Sequence, residues 1–225
     1  MHQFFGPDTQ VLLDDLLLLP QEGASTGPTG RPPNSYAILL EGRSILFDAP
    51  YSWVVPSLRR LREDGYPPAA LILSHSDVAG QGDAFAEIVE EFQIPVMLHP
   101  EDAGNRESRR AGVEFEDPIE SEALEEADVE ALHFRGHTEG SVVLYWERNG
   151  GVMLAGDSAV GPGPEQDQDP PRLVLPPATS EENAERLRET WRTFGRPLRS
   201  VCPLHGAAYV DRDDLAGIMR PLIEG

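Results

Sequence analysis

The hydrophobic pattern of this chain switches repeatedly between a two-residue and a helical period, with glycine, proline and acidic residues at the joints. Residues 11–19 are apolar around Asp14 and Asp15 and predict a first strand, while residues 23–33, rich in Gly, Pro, Ser and Thr, predict a loop. Residues 35–40 and 44–47 flank a Glu41-Gly42 turn and read as a hairpin that ends in Asp48. Residues 56–64 read as a helix that follows Val55 and puts Leu58 and Leu61 on the same face, with Gly65 as its stop. Residues 69–73 form a buried strand. Residues 83–92 then carry Phe85, Ile88, Val89 and Phe92 at helical spacing, with Asp83 as N-cap. Residues 94–98 are a further short apolar strand, closed by His99 and Pro100, so strand, helix and strand make a crossover unit. Residues 101–126 are charged and mixed and show no period.

The second half repeats the arrangement but not the sequence. Residues 129–134 predict a strand leading into Gly136, His137 and Thr138. Residues 142–146 and 152–155 flank Asn149-Gly150, a strong hairpin signal, and this hairpin ends in Gly156 and Asp157. Residues 161–171 hold glycines, prolines and acids without a period and predict a loop; with the short arm at residues 1–6, it is expected to shape access or assembly. Residues 181–194 predict a helix capped by Ser180, residues 199–202 a last strand, and residues 211–222 a closing helix. Strands alternating with helices predict an α/β fold, and 225 residues suffice for a single domain over residues 1–225.

Charge narrows the classes of partner. Asp and Glu total 39 against 18 basic residues, all of them arginine, for a net charge of −21. That field repels phosphate backbones and anionic membranes and argues against both as partners. The acids are spread rather than blocked, which reads as a solvated surface suited to high salt more than as a face for a basic partner. Cys202 is the sole cysteine, which excludes an intrachain disulfide and a Cys-based zinc knuckle. The apolar run 16–19 is too short to span a membrane and lacks the basic leader of a signal peptide. The expectation is a soluble cytoplasmic protein acting on a small molecule; the assembly state is left open, a homodimer among the options.

Candidate chemistry gathers at strand ends, where a rigid support faces a loop. His75 with Asp77, then His137, Asp157 and His205 each follow a short apolar strand. Imidazole and carboxylate donors suit zinc, iron or manganese. Taken singly, each has an ordinary explanation: a histidine satisfied by its neighbours, or an aspartate in a turn. The recurrence at four strand ends is what carries the reading. Gln81 and Asp83 follow closely enough to line a pocket, His99 and His133 read as structural, and Cys202 as a buried inert thiol. Ser158 lacks a G-x-S-x-G elbow, which argues against a serine hydrolase.

In order and spacing these segments resemble the metallo-β-lactamase superfamily over nearly the whole chain. Ser74-His75 matches the opening of its T-H-x-H-x-D-H motif, and Gly136-His137-Thr138 with Gly140-Ser141 its G-H-T segment. Leu154-Ala155-Gly156-Asp157 matches the G-D after a hairpin, and Pro203-Leu204-His205-Gly206 the late H-G. The resemblance implies a four-layer αββα sandwich with a metal site at one edge of its two sheets. It also implies His75, His137 and Asp157 as ligands of a first metal, and Asp157 and His205 as what remains of a second. The first motif departs from the family: Asp77 stands for its second histidine, Ala79 for its proton-handling aspartate and Gly80 for its last histidine. Carboxylates occupy the second position in the flavodiiron branch, so Asp77 is a conditional ligand. The implied centre is mononuclear, with one divalent transition metal, zinc before iron or manganese. Asp77 or His205 would be the proton acceptor. The implied function is hydrolysis of small ester, thioester or related acyl substrates; the alternative is a non-catalytic, metal-free or ligand-binding member.

Overall fold

The computed structural model describes residues 9–21, 32–161, 169–177 and 179–225. The arm at residues 1–6, most of the loop at 23–33 and the middle of the loop at 161–171 lie outside the described residues. Seven strands form one sheet in chain order: β1 (Gln10–Leu13), β2 (Leu16–Leu18), β3 (Tyr36–Leu40), β4 (Arg43–Phe47), β5 (Pro68–Ile72), β6 (Val96–Met97) and β7 (Phe115–Glu116). A second sheet holds β8 (Val129–His133), β9 (Val142–Trp146), β10 (Val152–Gly156) and β11 (Ser200–Pro203), again in chain order. The helices are α1 (Val55–Glu63), α2 (Ser76–Gln81), α3 (Phe85–Phe92), α4 (Pro100–Ala103), α5 (Glu122–Glu125), α6 (Glu181–Thr193) and α7 (Leu215–Glu224).

Alternation along the central strands sorts the side chains into three apolar layers. Tyr36, Ile38, Ile45, Phe47, Ala70 and Ile72 face Leu144, Trp146, Leu154 and Cys202 across the gap between the sheets. On the other face of the first sheet, Leu39, Leu46, Leu71 and Leu73 pack on Leu58 and Leu61 of α1 and on Phe85 and Ile88 of α3. Val143, Tyr145, Met153 and Val201 of the second sheet pack on Leu187 and Trp191 of α6 and on Ile218 and Leu222 of α7. The layers therefore run helix, sheet, sheet, helix, and strands covered on both faces are apolar almost throughout, as that burial requires.

The two halves share a topology. The antiparallel pair β3–β4 is followed across α1 by β5, parallel to β4; the antiparallel pair β9–β10 is followed across α6 by β11, parallel to β10. The similar halves expected from the sequence are thus real in arrangement.

Several boundaries differ from expectation. Residues 11–19 form two strands rather than one, because Asp14 and Asp15 make the turn between β1 and β2. Asp83 does not cap a helix; its carboxylate accepts from the Ser52 amide at 2.7 Å and hydroxyl at 2.9 Å, and α3 begins at Phe85. The Asn149-Gly150 turn is longer than a two-residue hairpin but uses the expected left-handed residues, with φ of 54° and 77°. The closing helix begins at Leu215 rather than 211. Asp211 has a left-handed φ of 49°, and Arg199 pairs with Asp211 and Asp213 ahead of it. Among the described residues, no helix is long and apolar enough to cross a membrane.

Candidate metal centre

The strand ends bring the candidate residues to one edge of the sandwich. His75 leaves β5 and opens α2 in extended conformation. Its strand end is pinned twice: the Ser74 amide donates to Asp48 Oδ1 at 2.7 Å, and the Ser74 carbonyl accepts from the Val142 amide at 2.8 Å. The second bond joins the first sheet to β9. His137 lies in the loop between β8 and β9, and Asp157 follows Gly156 at the end of β10. Gly156 has φ of 52°, and a Cβ there would stand 2.4 Å from Ser74 Cβ, so only glycine permits this approach. His205 follows β11 in a turn held by Asn34, whose Nδ2 donates to the carbonyls of Pro203 and Gly206, each at 2.8 Å.

Asp157 Oδ2 is the common point. It lies 3.8 Å from His75 Nε2, 3.7 Å from His137 Nε2 and 3.8 Å from His205 Nε2. These are too long for hydrogen bonds. They are the order of separation that donors adopt around one ion at about 2.0–2.2 Å from each. His75, His137 and Asp157 offer donor atoms all within 4.8 Å of one another, and neither Asp77 nor His205 joins that group. His205 faces it through Asp157; Asp77 faces it through His137, with Oδ2 at 3.6 Å from Nε2. The donor set therefore fits one divalent transition metal.

The electrostatics of His75 agree with ligand duty. Burial, reinforced by His137, holds His75 well below the usual imidazole range, so it stays neutral as a ligand must be. Its Nδ1 lies 2.7 Å from Ser74 Oγ, which orients the ring and leaves Nε2 toward the centre. Burial also pulls His137 down, but Asp77, Asp157 and Asp102 outweigh it and leave its pKa raised. Contact with His137 holds Asp77 below the ordinary carboxylate value despite partial burial.

Some supporting residues were not visible in the sequence. Asp102 in α4 is 1% exposed, and its Oδ2 accepts from the Ser76 amide at 2.9 Å and from Thr138 Oγ1 at 2.6 Å. Its Oδ1 accepts from the Gly140 amide at 3.1 Å. One carboxylate thus ties the segment between His75 and Asp77 to the loop that carries His137. No local pattern announced it. Asp48 had a weak signal, an acid closing an apolar strand. The structure buries it completely, and burial pushes its pKa up to about 8 against the opposing bond from Ser74.

The departures in the first motif have structural counterparts. Ala79 is buried and offers no donor. A Cβ on Gly80 would stand 3.0 Å from Glu107 Cβ, so a side chain there would need Glu107, ahead of the 3₁₀ turn Ser108–Ala111, to give by a few tenths of an ångström. Cys202 lies between the sheets, where burial raises its pKa to about 12, as an inert thiol requires.

The fold recurs in solved structures. A metallo-beta-lactamase family protein from Thermus thermophilus superposes with a TM-score of 0.55 at 20% identity, over 89% of this chain and 76% of its own. The DIM-1 metallo-beta-lactamase gives 0.65 at 15% identity, over 96% of this chain and 94% of its own. Rubredoxin oxygen:oxidoreductase from Desulfovibrio gigas gives 0.64 at 16%, over 96% of this chain and 61% of its own. At these identities the likeness is one of fold. No curated protein sequence matches the chain. The family model described as "Metallo-beta-lactamase superfamily" matches residues 28–191, a stretch that contains His75, His137 and Asp157. On that match the chain belongs to the metallo-beta-lactamase superfamily.

Proposed function

We propose that this protein is a hydrolase of small ester, thioester or related acyl substrates that works with a single divalent transition metal, zinc being the best suited. The observation that carries the reading is the convergence of His75 Nε2, His137 Nε2 and Asp157 Oδ2 at separations too long for hydrogen bonds. When bound, such a metal supplies a water of lowered pKa and polarises a carbonyl oxygen. The chain's own residues do the rest. Ser74 holds the His75 ring, and Asp102 spaces the two histidine-bearing loops. Asp77 keeps its carboxylate against His137, where its lowered pKa makes it a poor base near neutral pH. His205 lies outside the three-donor group and within reach of Asp157, so it is the proton acceptor in this reading, through Nε2.

A second reading, a ligand-binding protein that does no chemistry, draws on Ala79 and Gly80, which stand where the family has ligands. Elemental analysis of protein purified without added metal separates the two. The hydrolase reading expects about one equivalent of transition metal per chain at the site that His137→Ala weakens at least about tenfold. Ester turnover should fall about 10²–10⁴-fold in His205→Ala with metal content retained. Protein that gains no zinc at a site dependent on His137 would end the hydrolase reading, and unchanged turnover in His205→Ala would remove that residue's role.

A further inference from the structure

A second group of donors lies outside the strand-end centre. His99, Glu101 and His133 offer donor atoms all within 4.8 Å of one another. His99 precedes α4 and accepts at Nδ1 from the Glu101 amide at 3.3 Å; His133 closes β8. The two imidazoles stack with centroids 4.0 Å apart and planes at 29°. His133 Nε2 stands 3.6 Å from Glu101 Oε2. That is too long for a hydrogen bond and close to the separation of two donors on one first-row ion.

A cation already serves this cluster. Arg135 Nη2 donates to Glu101 Oε1 at 2.6 Å, and Arg135 Nε lies 3.3 Å from His133 Nε2. His133 Nε2 also lies 2.7 Å from the Glu139 carbonyl oxygen. An incoming ion must therefore displace the guanidinium and the carbonyl from His133. The side chains of His133 and Glu101 are 27% and 41% exposed, so an ion can reach them and retain water as a further ligand.

We propose that His99, Glu101 and His133 form a separate binding site for a divalent transition-metal ion such as zinc, with the Arg135 guanidinium as the cation that holds the place until the ion binds. Two imidazoles and a carboxylate select zinc-like ions over calcium and magnesium, which require oxygen ligands. The ion clamps the start of α4 to the end of β8. Those elements carry Asp102 and lead to His137, so the clamp stiffens the frame of the strand-end centre without sharing a ligand with it. The site does not depend on the hydrolase reading.

Zinc binding to the full chain, followed by equilibrium dialysis with magnesium as the control, tests the proposal. His133→Ala and Glu101→Gln should each weaken one class of zinc site by at least about tenfold and leave the class lost in His137→Ala intact. Arg135→Ala should tighten binding at the same class by about tenfold, because it removes the competitor. Circular dichroism checks that each variant is folded, and Glu101→Gln retains the shape of the cluster. Zinc binding unchanged in both His133→Ala and Glu101→Gln, or weakened by Arg135→Ala, would overturn the proposal. Failure of the hydrolase reading shows instead as loss of the class that depends on His137.

Discussion

Two single residues decide how close the ligand-bearing strands come. Gly156 lets β10 meet the end of β5, since any Cβ there would overlap Ser74. Gly156→Ala combines that overlap with a left-handed φ and should cost more than about 2 kcal/mol, read as a lower midpoint in urea. Asp48 sits behind the same strand end. Its folded pKa of about 8 lies above the ordinary value of 3.8, so from about pH 4 to about 8 the native state holds a proton that the unfolded state has lost. Its contribution to stability therefore falls as pH rises through that window and levels off above it. In the metal-free protein, Asp48→Asn should melt higher than wild type at pH 7, with the difference shrinking toward pH 4; a constant difference would contradict the assignment. Neither effect is legible locally. The G-D pair and the strand-final Asp are visible in the sequence, but the Ser74 that constrains them comes from a distant segment, across the sheets for Gly156 and from the neighbouring strand for Asp48.

The elements that hold the site are of two kinds. Long amphipathic ones, such as α1, α3 and α6, were readable because their apolar faces repeat over two or more turns. The segment at residues 101–126 was not, since α4, α5, β7 and two 3₁₀ turns are each four residues or fewer. Pieces that short take their conformation from neighbours rather than from a period. Yet α4 carries Asp102, which accepts from both histidine-bearing loops. Asp102→Asn keeps the size of the side chain but exchanges one acceptor for a donor facing donors. It should weaken zinc binding at the strand-end centre about 10–100-fold, measured by chelator competition. The short helix α2 was likewise hidden, because Ser76, Ala79 and Gly80 make no amphipathic stripe and its first amide is held by Asp102.

At the scale of the molecule, charge and layering act separately. The net charge of −21 works against compactness, and exposed pairs such as Arg59 with Glu87 or Arg199 with Asp213 offset little of it. Raising NaCl from 0.1 M to 1 M shortens the screening length from about 10 Å to about 3 Å. The melting temperature should therefore rise with salt, and a fall would mean that the surface pairs outweigh the repulsion. The layers follow from burial: strands apolar on both faces must be covered on both, and helices with one apolar face cover one side each. By itself the sequence determined the alternation of strands and helices, the paired halves and the strand ends on which donors stand, because periodicity and strand-end chemistry are local properties of a chain; the four layers entered only as what the family resemblance implies. Only the tertiary structure decided that His75, His137 and Asp157 converge while Asp77 and His205 stand beside them, that Gly80 packs tightly on Glu107, and that Asp102 and Arg135 serve distant loops. Those are distances between residues far apart in the chain, set by how two sheets pack.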